Sequence, residues 1–95
     1  MNGNRRAVIT GLGCVTPIGL DVATFWASAL AGRSGVTTIT GFDVTGQEVT
    51  IGGEIKNFDP GRWGMDAKEA RRLDRFAQFS IAATDEAVRE SGLDF

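Results

Sequence analysis

The stretch Val8-Ile9-Thr10-Gly11-Leu12-Gly13-Cys14-Val15-Thr16-Pro17-Ile18-Gly19 offers glycines that could cradle a phosphate and a thiol that could act as a nucleophile. A dinucleotide fingerprint needs G-x-G-x-x-G, its third glycine letting the helix approach the strand. Gly11 and Gly13 fill the first two places, but Thr16 occupies the third, Pro17 follows it, and the next glycine is Gly19. The helix also begins too late to aim its amides at an anion beside Gly11. The turn therefore reads as structural, with Gly11 and Gly13 letting the backbone bend tightly. Cys14 has no partner for nucleophilic catalysis, because the chain contains no histidine, and a lone cysteine builds no metal site. Small buried filler is its expected role. Carboxylates are plentiful, but none sits in an apolar sequence setting that would raise its pKa.

The other chemistry-bearing group is cationic. Lys68, Arg71, Arg72 and Arg75 fall within an arc of roughly 100° if residues 66 to 91 form one helix of 3.6 residues per turn. So placed, they stand near a helix N-terminus, against the dipole. Two readings fit: a solvated helix face, or a docking surface for an acidic partner.

The elements that must position these groups follow from periodicity and caps. Residues 6 to 12 read as a short buried strand. Asp21 is the N-cap of a helix over about residues 22 to 31, stopped by Gly32. Residues 33 to 48 read as a loop, 49 to 55 as a strand interrupted at Gly52-Gly53, and 57 to 64 as a turn-rich link. The long helix starts at Asp66, with Glu69 at capping-box spacing, and ends at Gly92. Its expected packing stripe is Ala70, Leu73, Phe76, Ala77, Ser80, Thr84 and Ala87.

Composition is that of a globular protein, 42% hydrophobic and 23% charged with a net charge of −2, which excludes a globally basic nucleic-acid binder. At 95 residues the chain is one small domain at most, or part of a larger one. No apolar run is long enough to span a membrane, and one cysteine forms no internal disulfide. Arg5-Arg6, an apolar stretch and Ala27-Ser28-Ala29 imitate a signal peptide, but Pro17, Asp21, Trp26 and three glycines break it. The reading is cytoplasmic.

Taken together, "RRAVITGLGCVTPIG", "FWASALAGRSGV", "FDP" and "KEARRLDRFAQFSIAATDEAVRESGL" resemble the start of a β-ketoacyl-[acyl-carrier-protein] synthase, in particular the elongating type II class of bacterial fatty acid synthesis. The resemblance runs from Arg5 to about Leu93. It implies an α/β fold, the N-terminal part of a thiolase-like α-β-α-β-α layered architecture, working as a homodimer. Residues 1–95 would form a partial N-terminal domain that continues beyond residue 95 in the family. The implied reaction is decarboxylative Claisen condensation of malonyl-carrier protein with an acyl thioester. The family's nucleophilic cysteine, its two histidines and a lysine all lie beyond the length of this chain, so the resemblance places no catalytic residue here, and Cys14 is not that cysteine. No cofactor is implied for the chain itself, because the phosphopantetheine is carried by the acyl carrier protein. Lys68, Arg71 and Arg72 match positions that dock the carrier protein in this family, and Arg75 extends the arc. A non-catalytic carrier-docking module and a ketosynthase of polyketide biosynthesis are the alternatives, with a nucleotide-binding domain disfavoured by Thr16 and Pro17.

Overall fold

The computed structural model describes residues 4–94. It is an α/β arrangement of three helices and a two-stranded sheet: α1 (Val22–Leu30), β1 (Val36–Thr38), β2 (Ile51–Gly53), a 3₁₀ turn (Pro60–Trp63), α2 (Ala67–Arg72) and α3 (Arg75–Ser91). No helix among the described residues is long and apolar enough to cross a membrane.

The caps of α1 form as their residue types require. The Asp21 carboxylate accepts from the Thr24 N–H at 2.7 Å, and Gly32 follows the helix at φ 71, where a side chain would be strained. The Thr24 bond also holds the Asp21 carboxyl below its ordinary range. Residues 33–48 are not wholly irregular. Val36, Thr37 and Thr38 pair antiparallel with Gly53, Gly52 and Ile51, and Ile39 N–H to the Thr50 carbonyl extends the ribbon. The expected strand over 49–55 is correspondingly shorter. Glu54 closes the ribbon by accepting from the amides of Thr40 and Gly41, both at 2.8 Å, and from the Thr40 hydroxyl.

The predicted single helix over 66–91 is broken. Asp66 caps its start, accepting from the Glu69 N–H at 2.7 Å. The chain then leaves helical geometry at Leu73 (φ −107, ψ 138), and Asp74 starts a second helix in extended conformation. A break orphans carbonyls at the end of the first helix. The Gln78 side-chain amide satisfies two of them, donating to the Ala70 carbonyl at 2.8 Å and the Leu73 carbonyl at 3.3 Å. The break also shifts the packing face. Ala82 is completely buried, whereas Phe76, Ser80 and Thr84 of the expected stripe are exposed, Phe76 at 74%.

The predicted strand over 6–12 is the second departure. Residues 5 to 15 carry no sheet ladder, and Val8 and Ile9 are 75% and 82% exposed. A strand exists only as one side of a hydrogen-bonded pair. Among the described residues the buried apolar core reduces to Met65, Ala70 and Ala82. The accessible surface is 7386 Å², against about 5,300 Å² for a compact chain of this mass. The radius of gyration is 17.1 Å, against about 12 Å.

So little burial cannot offset an ordering cost of about 1–2 kcal/mol per residue. The isolated 95-residue chain is expected to self-associate or bind hydrophobic dyes, and to melt over a broad range. A sharp two-state calorimetric transition at micromolar concentration would contradict this.

Candidate functional site

The glycine turn is built from the N-terminal segment, the start of α1 and the middle of α3. Gly11 and Gly13 do not serve as bends, since neither has a positive φ. Their role is close approach. A Cβ on Gly11 would run into the Ala87 carbonyl of α3, and one on Gly13 into the Ala83 carbonyl. The segment lies directly on the helix backbone, which only glycine permits. Gly19 touches the backbone of α1 at Phe25 in the same way. Between them Thr16 and Gly19 pair across a tight turn, Thr16 N–H to the Gly19 carbonyl at 2.8 Å, and the Thr16 hydroxyl accepts from Ile18 N–H at 3.2 Å.

The amides that a phosphate would need are already taken. Glu86 of α3 accepts from Cys14 N–H at 3.1 Å with one oxygen and from Val22 N–H, at the start of α1, at 3.0 Å with the other. Glu90, one turn on, faces the Leu12 N–H at 3.4 Å. The turn thus holds protein carboxylates where a nucleotide site would hold phosphate oxygens. No local signal marks these two residues in the sequence, because their partners lie 64 to 78 positions away. Cys14 is half-buried in this setting. Burial first, and then the Glu86 and Asp21 carboxylates, push its thiol above the ordinary range. A nucleophilic cysteine needs the opposite environment.

The cations fall into two groups. Lys68, Arg71 and Arg72 lie on α2, exposed, and no ion pair among the described residues engages them. Because α2 ends at Arg72, Arg71 and Arg72 occupy its last turn, where the helix dipole favours them. The expectation that they oppose the dipole is therefore overturned by the break at Leu73. Arg75 belongs elsewhere. Its guanidinium donates to the Ile55 carbonyl at 3.0 Å and lies over the Phe79 ring at 5.0 Å, tying α3 to the end of the hairpin. The four cations do not form a single helical arc.

Among the described residues three grooves flank these groups, one of them about 310 Å³ and lined by Asp59, Pro60, Met65, Ala70 and Arg71. Of the other two, the first, about 440 Å³, is lined by Phe42, Glu54, Lys56, Arg75 and Phe79 among others. The second, about 450 Å³, lies between the 3₁₀ turn, α2 and α3, with Trp63, Met65, Leu73 and Ile81 as its apolar wall and Glu69 and Arg72 at its edge.

Comparison with known proteins adds a direct result. Residues 4–95 match the profile described as "Beta-ketoacyl synthase, N-terminal domain". The chain is 48% identical over 94 residues to 3-oxoacyl-[acyl-carrier-protein] synthase 2 of Staphylococcus aureus strain COL, covering 99% of this chain and 22% of that protein. It is 42% identical over 89 residues to the protein of the same name from a Synechocystis species, covering 94% and 21%. Among solved structures, "The ishigamide ketosynthase/chain length factor" superposes with a TM-score of 0.81 at 37% identity, covering 92% of this chain and 21% of that one. The chain thus spans about a fifth of the length of the relatives it matches.

Two outcomes follow from the turn. Glu86→Gln in the full-length protein is expected to lose about 1–3 kcal/mol in denaturant unfolding, because one amide loses its acceptor, with a smaller loss for Glu90→Gln. Cys14 is expected to alkylate more slowly than an unhindered thiol at neutral pH. Its rate should still be rising above the usual thiol range of about 8.5.

Proposed function

This chain belongs to the β-ketoacyl synthase family, and we propose that the full-length protein carrying it performs decarboxylative Claisen condensation in fatty acid elongation. An acyl group passes from its carrier thioester to an active-site cysteine thiolate. Malonyl-carrier protein loses CO2, and the resulting carbanion attacks the enzyme-bound thioester, expelling the thiolate and leaving a β-ketoacyl-carrier protein. The observation that carries this reading is the 48% identity to a 3-oxoacyl-[acyl-carrier-protein] synthase 2 across 99% of the chain. The reading assigns residues 1–95 to the N-terminal part of a thiolase-like layered domain in a homodimeric, cytoplasmic enzyme.

The chain's own contribution is recognition rather than bond making. A partner that delivers substrate on a flexible arm needs a docking surface outside the catalytic centre. Lys68, Arg71 and Arg72 on α2, exposed and unpaired with any carboxylate among the described residues, supply one for an acidic carrier protein. Arg75 is a weaker member of this set, since its guanidinium is engaged with Ile55 and Phe79. No cofactor is assigned to the chain, the phosphopantetheine arriving with the carrier.

A second reading, a ketosynthase of polyketide biosynthesis, is favoured by the likeness to a ketosynthase/chain length factor. The higher identity to synthases of the elongating class ranks it second.

Steady-state condensation by the full-length protein tests both parts of the proposal. Arg71→Glu is expected to raise KM for the carrier-bound substrates several-fold at low salt with kcat little changed, and the difference should shrink as salt is added. No condensation with malonyl-carrier protein by the unaltered enzyme would sink the function, and an unchanged KM would sink the docking role.

A further inference from the structure

The bend between α2 and α3 has no cause in the residues that form it. Leu73 and Asp74 are neither proline nor glycine, and residues 67 to 72 before them are strong helix formers. Asp74 stands where a capping side chain belongs, yet its carboxylate makes no capping bond. In an unbroken helix each carbonyl accepts from the amide four residues on. The Ala70 carbonyl would then take the Asp74 N–H, and the Leu73 carbonyl would take the Ala77 N–H. The bend withdraws these donors, and the Ala77 N–H turns to the Asp74 carbonyl at 3.0 Å. The Gln78 side-chain nitrogen supplies a hydrogen to each of the same two carbonyls, at 2.8 and 3.3 Å. Ala70 is buried, and Leu73 and Gln78 are half-buried, so water is a poor substitute for that amide.

Gln78 also sits on a fixed frame. It belongs to α3, which Glu86 and Glu90 hold to the glycine turn, while the far end of α2 is held by the Asp66 cap. Arg71 and Arg72 lie between the two carbonyls that Gln78 clasps. An apolar side chain of the same length would leave both carbonyls without their donor. The chain regains donors either by resuming the helix through Leu73 and Asp74 or by fraying into water, and both outcomes redirect the two arginines.

We propose that Gln78 is a positioning residue for carrier binding: its amide, bridging the Ala70 and Leu73 carbonyls, holds the bend and so aims Arg71 and Arg72 at the acidic partner. The inference rests on the carrier-docking reading given above and adds an uncharged residue that acts through the cations.

Condensation kinetics of the full-length protein, read as a double-mutant cycle, test this role. Gln78→Met keeps the side-chain length and removes the donor. It is expected to raise KM for carrier-bound substrates about fivefold at low salt, with kcat little changed and the difference shrinking as salt is added. Arg71→Glu should then raise KM by a smaller factor in the Gln78→Met background than in the unaltered protein. Amide exchange over residues 67–73 should quicken in Gln78→Met while α3 stays protected. Gln78→Asn keeps the amide on a stem one carbon shorter, a milder change whose KM should lie between, and it carries the test if Gln78→Met does not fold. An unchanged KM in these variants, while Arg71→Glu still raises it, overturns the positioning role and leaves the docking reading intact. Additive effects of the two substitutions also overturn it, since Gln78 would then act apart from the cations. If Arg71→Glu leaves KM unchanged, the docking reading fails and the positioning role falls with it.

Discussion

The Glu86 carboxylate joins three segments that would otherwise have little reason to meet. One oxygen takes the Cys14 amide of the glycine turn and the other takes the Val22 amide at the head of α1, while the side chain itself springs from the middle of α3. Charge-assisted bonds of this kind are stronger than those between neutral groups. Here they act beside a small hydrophobic core, since among the described residues Met65, Ala70 and Ala82 are the buried apolar ones. The bonds also depend on distance. Glu86 and Glu90 reach the turn because Gly11 and Gly13 let the N-terminal segment rest on the α3 backbone at Ala87 and Ala83. Glycine at two positions and glutamate at two others are thus one device, and neither half works without the other.

Polar contacts join these segments while much apolar surface stays outside them. Val8, Ile9, Trp26, Leu30 and Phe76 all expose most of their surface, and the total accessible area exceeds that of a compact chain by about 2,100 Å². The hairpin ribbon is three residue pairs long; Glu54 holds the chain beyond β1 at Thr40, and the Lys56 ammonium donates to the hydroxyl of Thr37 at its centre.

Local signals in the sequence were read correctly where the physics is local. Asp21, Asp66, Gly32 and Gly92 act as caps and stops, as their types require. Non-local features were not legible. The strand over 6–12 had the right residues but no partner to pair with, and β1 was too short and too polar to rise above a loop signal. The helix break escaped because Ala-Lys-Glu-Ala-Arg-Arg-Leu reads as uninterrupted helix, and what stabilises the break is the reach of Gln78 back to Ala70 and Leu73. The break separates Arg75 from the other cations and reverses the electrostatic setting of Arg71 and Arg72. The identities of Lys68, Arg71 and Arg72 as exposed cations survived, because exposure follows from charge whatever the helix does. The groove behind them could not be seen at all, being assembled from the 3₁₀ turn and both helices.

The break at Leu73 and Asp74 also isolates rotational phase. Along an unbroken α-helix, inserting or deleting one residue turns everything downstream by about 100°. A change in the length of α2 would then swing Glu86 and Glu90 away from the glycine turn. With the helix restarted at Asp74, the direction of the α3 side chains toward Gly11 and Gly13 is set by the new start rather than by the number of residues in α2. The exposed cations of α2 and the turn-holding carboxylates of α3 thus occupy adjacent stretches of sequence without sharing one set of side-chain directions.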